Sequence, residues 1–206
     1  MQRNSNSLIG YPIEATDGEI GKVADFYFDD QSRAIVYLIV KTGNWLSGRK
    51  VLLSTYAVIK GAARSGTIPV NITREQIRTS PDIDTDKPVY RQQEDKGGEG
   101  DLHLRCTQAI LGYHIETTDG ELGHLRDFII DDETWRIEYL VVGLHHWPEG
   151  KKVLVACEHI KDIQCNTSRI FLNMTSFVLE NSMAYYKPEP FSPEVDIDVD
   201  HNFYVE

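Results

Sequence analysis

The stretch GYPIEATDGEIG at residues 10–21 decides the fold, because it returns as GYHIETTDGELG at residues 112–123. The offset is 112 − 10 = 102 residues, and from residue 10 to residue 54 it stays constant, with 22 of the 45 paired positions identical. Repeats of solenoids and propellers are only about 20–50 residues long, so a longer period indicates duplication of a whole domain. The sequence therefore predicts two copies of one small domain.

Each copy shows short apolar stretches separated by tight turns, which is typical of β structure. The strands predicted in the first copy cover residues 9–15, 23–28, 34–40, 51–53 and 67–72. Asp17-Gly18 fits a two-residue hairpin turn because glycine accepts a positive φ. Thr73 and Gln76 have the spacing of a capping box at the start of a short helix. Such closely spaced strands favour closed barrels, so we predict a mostly β chain with two tandem small barrels, each with a short helix.

Composition sets the expected boundaries. We predict the first barrel at residues 7–80, an acidic linker at 81–101, the second barrel at 102–180 and an acidic, proline-rich tail at 181–206. The linker holds alternating acids and several glycines with almost nothing to bury, as flexible connections do.

The net charge is 21 − 32 = −11, and it is unevenly distributed. Residues 1–80 carry 10 basic and 7 acidic side chains, a sum of +3, whereas the other three segments are all negative. An acidic chain repels phosphate backbones, so no nucleic-acid partner is expected. No apolar stretch reaches the roughly 18 residues of a membrane helix. We therefore expect no membrane insertion and a cytoplasmic location, where Cys106, Cys157 and Cys165 are reduced thiols.

The repeated motif resembles the PRC-barrel family. The resemblance rests on the glycine-rich hairpin at residues 10–21, on Asp25-Phe26 and Asp29-Asp30, and on their counterparts in the second copy. It implies a non-catalytic adaptor barrel that binds other proteins, and it brings no catalytic residues with it. The second copy departs from the first near its end, where it lacks the Arg74-Glu75-Gln76 cap.

Asp25 and Asp127 stand at equivalent positions in an apolar strand. A buried carboxylate there can serve as a general base, which makes a hydrolase the alternative from another functional class. The interpretation we favour is structural, with each carboxylate accepting backbone N–H groups. The Asp17-Gly18 turn and its counterpart offer oxygens to a cation but lack the spaced acids of a calcium loop.

Two further groups of residues are candidates for metal binding. Zinc prefers cysteine and histidine, but the soft ligands of the second copy lack the close Cys-x-x-Cys spacing of structural zinc sites; they are His145, His146, Cys157, His159 and Cys165. Alternating acids place carboxylates on one face of an extended chain; they are Asp82, Asp84 and Asp86 in the linker and Asp196, Asp198 and Asp200 in the tail. We expect no metal and no cofactor, although weak metal or small-ligand binding stays an alternative.

Aromatic and cationic residues at equivalent turns predict a contact surface. Its members are Trp45, Arg49, Lys50, Trp147, Lys151 and Lys152, together with Tyr185 and Tyr186 after the second barrel. The function predicted from the sequence is therefore a non-enzymatic adaptor with a protein partner, and a homo-oligomer is a further possibility.

Overall fold

The computed structural model describes residues 1–43, 46, 48–59, 66–79, 103–144 and 150–186. The chain is mostly β, in two sheets with a few short helices, which confirms the predicted fold class. The predicted linker and the tail beyond residue 186 lie outside the described residues.

The two halves have similar elements in the same order, except that the second half has one more strand among the residues that the structure describes. The first half contains β1 (Gln2–Asn4), α1 (Ser5–Leu8), β2 (Pro12–Ala15), β3 (Gly18–Asp29), β4 (Ile35–Thr42), β5 (Lys50–Ser54), β6 (Ile68–Pro69) and α2 (Arg74–Arg78). The second half contains β7 (Leu104–Cys106), α3 (Thr107–Ile110), β8 (His114–Thr117), β9 (Gly120–Asp131), β10 (Arg136–Leu144), β11 (Lys152–Ala156), β12 (Ile160–Gln164), β13 (Arg169–Leu172) and α4 (Ser176–Glu180). The predicted capping box is confirmed, since Thr73 and Gln76 bond reciprocally at the start of α2.

Each sheet curls until its two ends meet. The first has the strand order β5-β4-β3-β2-β6, and a bridge between Val58 and Val70 joins the segments that follow its two outermost strands. The second has the order β11-β10-β9-β8-β13-β12, and only a 3-10 turn, Cys157–His159, separates the outermost strands in the chain. Curling of this kind protects the edges of a small sheet.

The halves exchange their first strands. β1 pairs antiparallel with β9 of the second sheet, and β7 pairs antiparallel with β3 of the first. Hydrogen bonding therefore crosses the boundaries predicted at residues 7 and 102, and it does so in both directions. We call the exchanged segments the arms: residues 2–8 are the first arm and residues 104–110 the second. Reciprocal contacts of this kind are those of a two-fold relation.

One hydrophobic core spans both halves, with contributions from the arms, both sheets and α2 and α4. Phe28 and Phe128 meet with ring centroids 5.9 Å apart, and Phe26 lies 6.4 Å from Trp135. The turn between β3 and β4 also contacts the turn between β9 and β10. Ile35 N donates to Trp135 O (2.7 Å), and Ile137 N donates to Arg33 O (2.9 Å). Burial of so much shared apolar surface makes the two halves one folding unit.

We predict that the halves stay associated when the linker is cut. A protease site is placed between Gly97 and Gly98, and the folded protein is cleaved. Because each fragment holds a strand of the other's sheet and shares its core, the fragments should elute together in size-exclusion chromatography and separate only in denaturant. Separate elution of two folded fragments would show that the exchange is not needed.

Candidate functional site

Asp25 anchors the second arm. It is buried on β3, and four donors reach its two oxygens. They are Phe26 N (2.7 Å), Cys106 Sγ (2.6 Å), Thr107 Oγ1 (2.5 Å) and Gln108 N (3.2 Å). Three of the four belong to the arm, so the carboxylate ties the arm to the strand beside which it lies.

Asp127 does the same for the first arm. Its oxygens accept from Phe128 N (2.8 Å), Asn4 Nδ2 (3.0 Å), Ser5 Oγ (2.6 Å) and Asn6 N (3.2 Å). Asn4 and Cys106 are separated by the repeat offset of 102 residues, so an amide and a thiol occupy the same place in the two networks. The favoured interpretation of both carboxylates, as acceptors of backbone N–H groups, agrees with these contacts.

Arginine–aspartate pairs hold the start of each arm. Arg105 Nε donates to Asp30 Oδ2 (2.9 Å), and Arg3 Nε donates to Asp132 Oδ2 (2.6 Å). Both carboxylates come from the Asp-Asp pairs of the repeated motif, Asp29-Asp30 and Asp131-Asp132. Charge-assisted hydrogen bonds at part-buried positions are among the stronger polar contacts in proteins, and here they connect one half to the other.

The Asp-Gly turns position the short helices. Asp17 Oδ1 accepts from Arg74 N (2.8 Å) at the start of α2, and Asp119 Oδ1 accepts from Ser176 N (2.7 Å) at the start of α4. The hydrogen bond from the Ser176 backbone is the largest cause of a lowered pKa at Asp119. These turn carboxylates thus bind helix starts, and the described residues contain no group of three or more His, Cys, Asp or Glu placed to hold a metal ion.

Six of the eight residues of the predicted contact surface lie in the part of the chain that the structure describes. Trp45 and Trp147, like His145 and His146, lie outside the described residues. Arg49 directly precedes β5 and Lys50 begins it, and Lys151 and Lys152 occupy the equivalent places at β11. Tyr186 is exposed, but Tyr185 is not, because its N donates to Lys152 O (2.7 Å) and its hydroxyl to Asn4 Oδ1 (2.7 Å). Tyr185 therefore covers the first arm.

A groove of about 530 Å³ lies where the first half's turn meets the second sheet. Arg33 and Gln31 reach it from one side, and Arg136, Glu138 and Glu158 from the other. Neither Asp25 nor Asp127 lines this groove. The position equivalent to Arg33 is Trp135, which is buried against Phe26, so the repeat places an arginine at the groove and a tryptophan in the core.

A comparison with protein families gives a match in the first half of the chain. Residues 2–77 match the family model of the PRC-barrel domain. The first half is therefore similar to a PRC-barrel domain. No curated protein matches the chain. Within the described residues, no helix combines the length and apolar character needed to cross a bilayer.

The matched residues of the PRC-barrel domain include the first arm. In sequence the arm belongs to the domain, but in space its strand pairs with β9 of the other half. The sheet of the first half is thus completed by the second arm, whose strand pairs with β3. The strands of the arms cannot be predicted from the sequence because three residues are too few to show a periodic pattern.

Removal of one anchoring carboxylate should destabilise the whole protein. Asp127→Ala leaves the buried donors of the first arm without an acceptor, so we expect the free energy of unfolding to fall by about 3 kcal/mol or more. Urea titration followed by circular dichroism measures the loss. Asp162→Ala is the matched control, because Asp162 is exposed on β12, and it should change stability by less than about 0.5 kcal/mol. Equal stability of the two variants would refute the anchoring role.

The cysteines should differ in reactivity. Burial, and then the hydrogen bond and charge of Asp25, raise the pKa of Cys106 to about 12, and burial raises the pKa of Cys157 to about 12. A raised pKa keeps the thiol protonated, so at pH 8 only about 1 in 10⁴ of each is the nucleophilic thiolate.

Iodoacetamide at pH 8, followed by mass spectrometry, tests this difference. It should alkylate exposed Cys165 in the native protein and all three cysteines after unfolding. Rapid native alkylation of Cys106 would contradict the structure.

Proposed function

We propose that the protein is a non-catalytic, cytoplasmic adaptor built from two PRC-like barrels, with another protein as its partner. PRC-barrel domains are generally interaction modules, which supports this class of function for the first half. We propose no nucleic-acid partner, no insertion into a membrane and no cofactor. Self-association is compatible with it.

The observation that carries the proposal is the exposure of four large apolar side chains in α4 and just after it: Phe177, Val178, Met183 and Tyr186. Phe177 is 71% exposed, Met183 90% and Tyr186 83%. Four large apolar side chains exposed within ten residues of chain exceed the scattered singles normal on a protein surface. We call these four residues the apolar face.

Hydrogen bonds tie the segment that carries the apolar face to the second sheet and to the first arm. Lys151 Nζ donates to Glu180 O (2.6 Å) at the end of α4, and Tyr185 bonds to Lys152 and to the first arm. A surface that is ordered before binding loses little conformational entropy when a partner docks. Exposed aromatic and methionine side chains are also the residue types that dominate binding energy in protein interfaces.

The test compares two variants of the full chain by crosslinking in the native organism. We expect the yield of a crosslinked partner to fall at least tenfold in the triple variant Phe177→Ser/Met183→Ser/Tyr186→Ser. The control variant Tyr56→Ser alters an equally exposed aromatic residue of the first half and should keep the yield unchanged. Purified partner and adaptor should then bind in isothermal titration calorimetry with the same variant dependence. Undiminished binding by the triple variant would refute the apolar face as the interface.

A further inference from the structure

Three lysines form a row across the first sheet. Lys22 of β3 lies directly opposite Lys41 of β4, and Lys41 lies directly opposite Lys50 of β5. Their chain neighbours Val23, Val40 and Val51 point into the core. Because successive side chains alternate between the faces of a strand, all three lysines stand on the outer face. We call these residues the lysine row.

Such an arrangement is unfavourable in isolation. Directly opposed side chains lie about 5 Å apart, and like charges in this position destabilise a sheet. Lys22 and Lys41 are exposed, and neither forms a salt bridge with any carboxylate in the part of the chain that the structure describes. The arrangement is understandable if an anionic group binds there.

The second half has the same register without the same charge. The positions equivalent to the three lysines are His124, Gly143 and Lys152, which are paired across β9, β10 and β11. One lysine therefore replaces three, and the backbone of Lys152 is bonded to Tyr185. The lysine row is a property of the first half, the one segment with a positive sum of charges.

The geometry fits an extended acidic peptide. Neighbouring strands are about 4.8 Å apart, so the three lysine stems span about 10 Å, whereas alternate side chains of an extended chain are about 6.7 Å apart. Flexible lysine side chains of about 6 Å bridge this difference, so two alternating carboxylates meet Lys22 and Lys41 together. Beside it lies a half-buried apolar strip with Ala24 and Leu52, which suits aliphatic neighbours of those carboxylates.

We propose that the lysine row binds an extended, acidic segment of a partner protein. This inference rests on the proposed adaptor function and adds a second docking surface, on the opposite half from the apolar face. Protein carboxylates are favoured over a nucleic acid because the rest of the chain carries −11 − 3 = −14 charges, which repel a long polyanion.

The test uses the full chain and a labelled synthetic peptide, PEVDIDVDH, which copies residues 193–201 and has alternating acids and aliphatic residues. Binding is followed by fluorescence anisotropy at low salt. Lys22→Glu/Lys41→Glu should raise Kd at least tenfold. The matched control, Lys152→Glu/Lys161→Glu, makes the same change of charge at exposed residues of the second half and should raise Kd less than twofold.

Each other outcome overturns the proposal. Equal weakening by both double variants shows only long-range attraction, and a ten-nucleotide oligouridylate that binds at the lysine row when the peptide does not makes it a nucleic-acid surface. The chain itself contains the peptide sequence, so the titration is repeated on the Asp196→Asn/Asp198→Asn/Asp200→Asn variant, and absence of binding there also refutes the proposal. Lys22→Glu/Lys41→Glu leaves the apolar face and its supporting contacts unchanged, so failure of the lysine row can be told apart from failure of the apolar face.

Discussion

The structure depends on two buried carboxylates that hold exchanged arms. Asp25 and Asp127 each collect hydrogen bonds from a segment that precedes the other half in the chain. A buried charge is tolerated only when it is fully hydrogen-bonded, and here the arms supply most of the donors. Neither half can satisfy its own carboxylate, so the fold is complete only when both halves are present. The shared aromatic core then follows from this proximity.

The two halves share sequence positions at a constant offset and exchange their first strands. Function can then reside where the halves differ, since the common positions are occupied by the shared fold. The first half carries the lysine row where the second has His124 and Gly143, and the second half carries the apolar face. Arg33 and Trp135 differ in the same way at the turns that cross between the halves. Positions at which the two halves differ thus indicate where the candidate binding surfaces lie.

Sequence patterns predicted strand positions, the hairpin turns and the capping box, because each depends on residues close together in the chain. They also predicted that Asp25 accepts backbone N–H groups, since a polar atom in an apolar strand needs a partner. They did not predict that the partner lies 108 − 25 = 83 residues away, at Gln108. Lys22 and Lys41 were missed for a related reason, because a row across strands appears only when the register is known.

By itself, the sequence determined that residues 10–54 and residues 112–156 share one pattern at a constant offset, which predicts two similar β units. It also determined the uneven charge of the two halves. Only the tertiary structure decided which strands pair across the copies and which side chains share a face. The physical reason is that a three-residue strand has almost no intrinsic preference, so its place is chosen by the donors and apolar surface it meets.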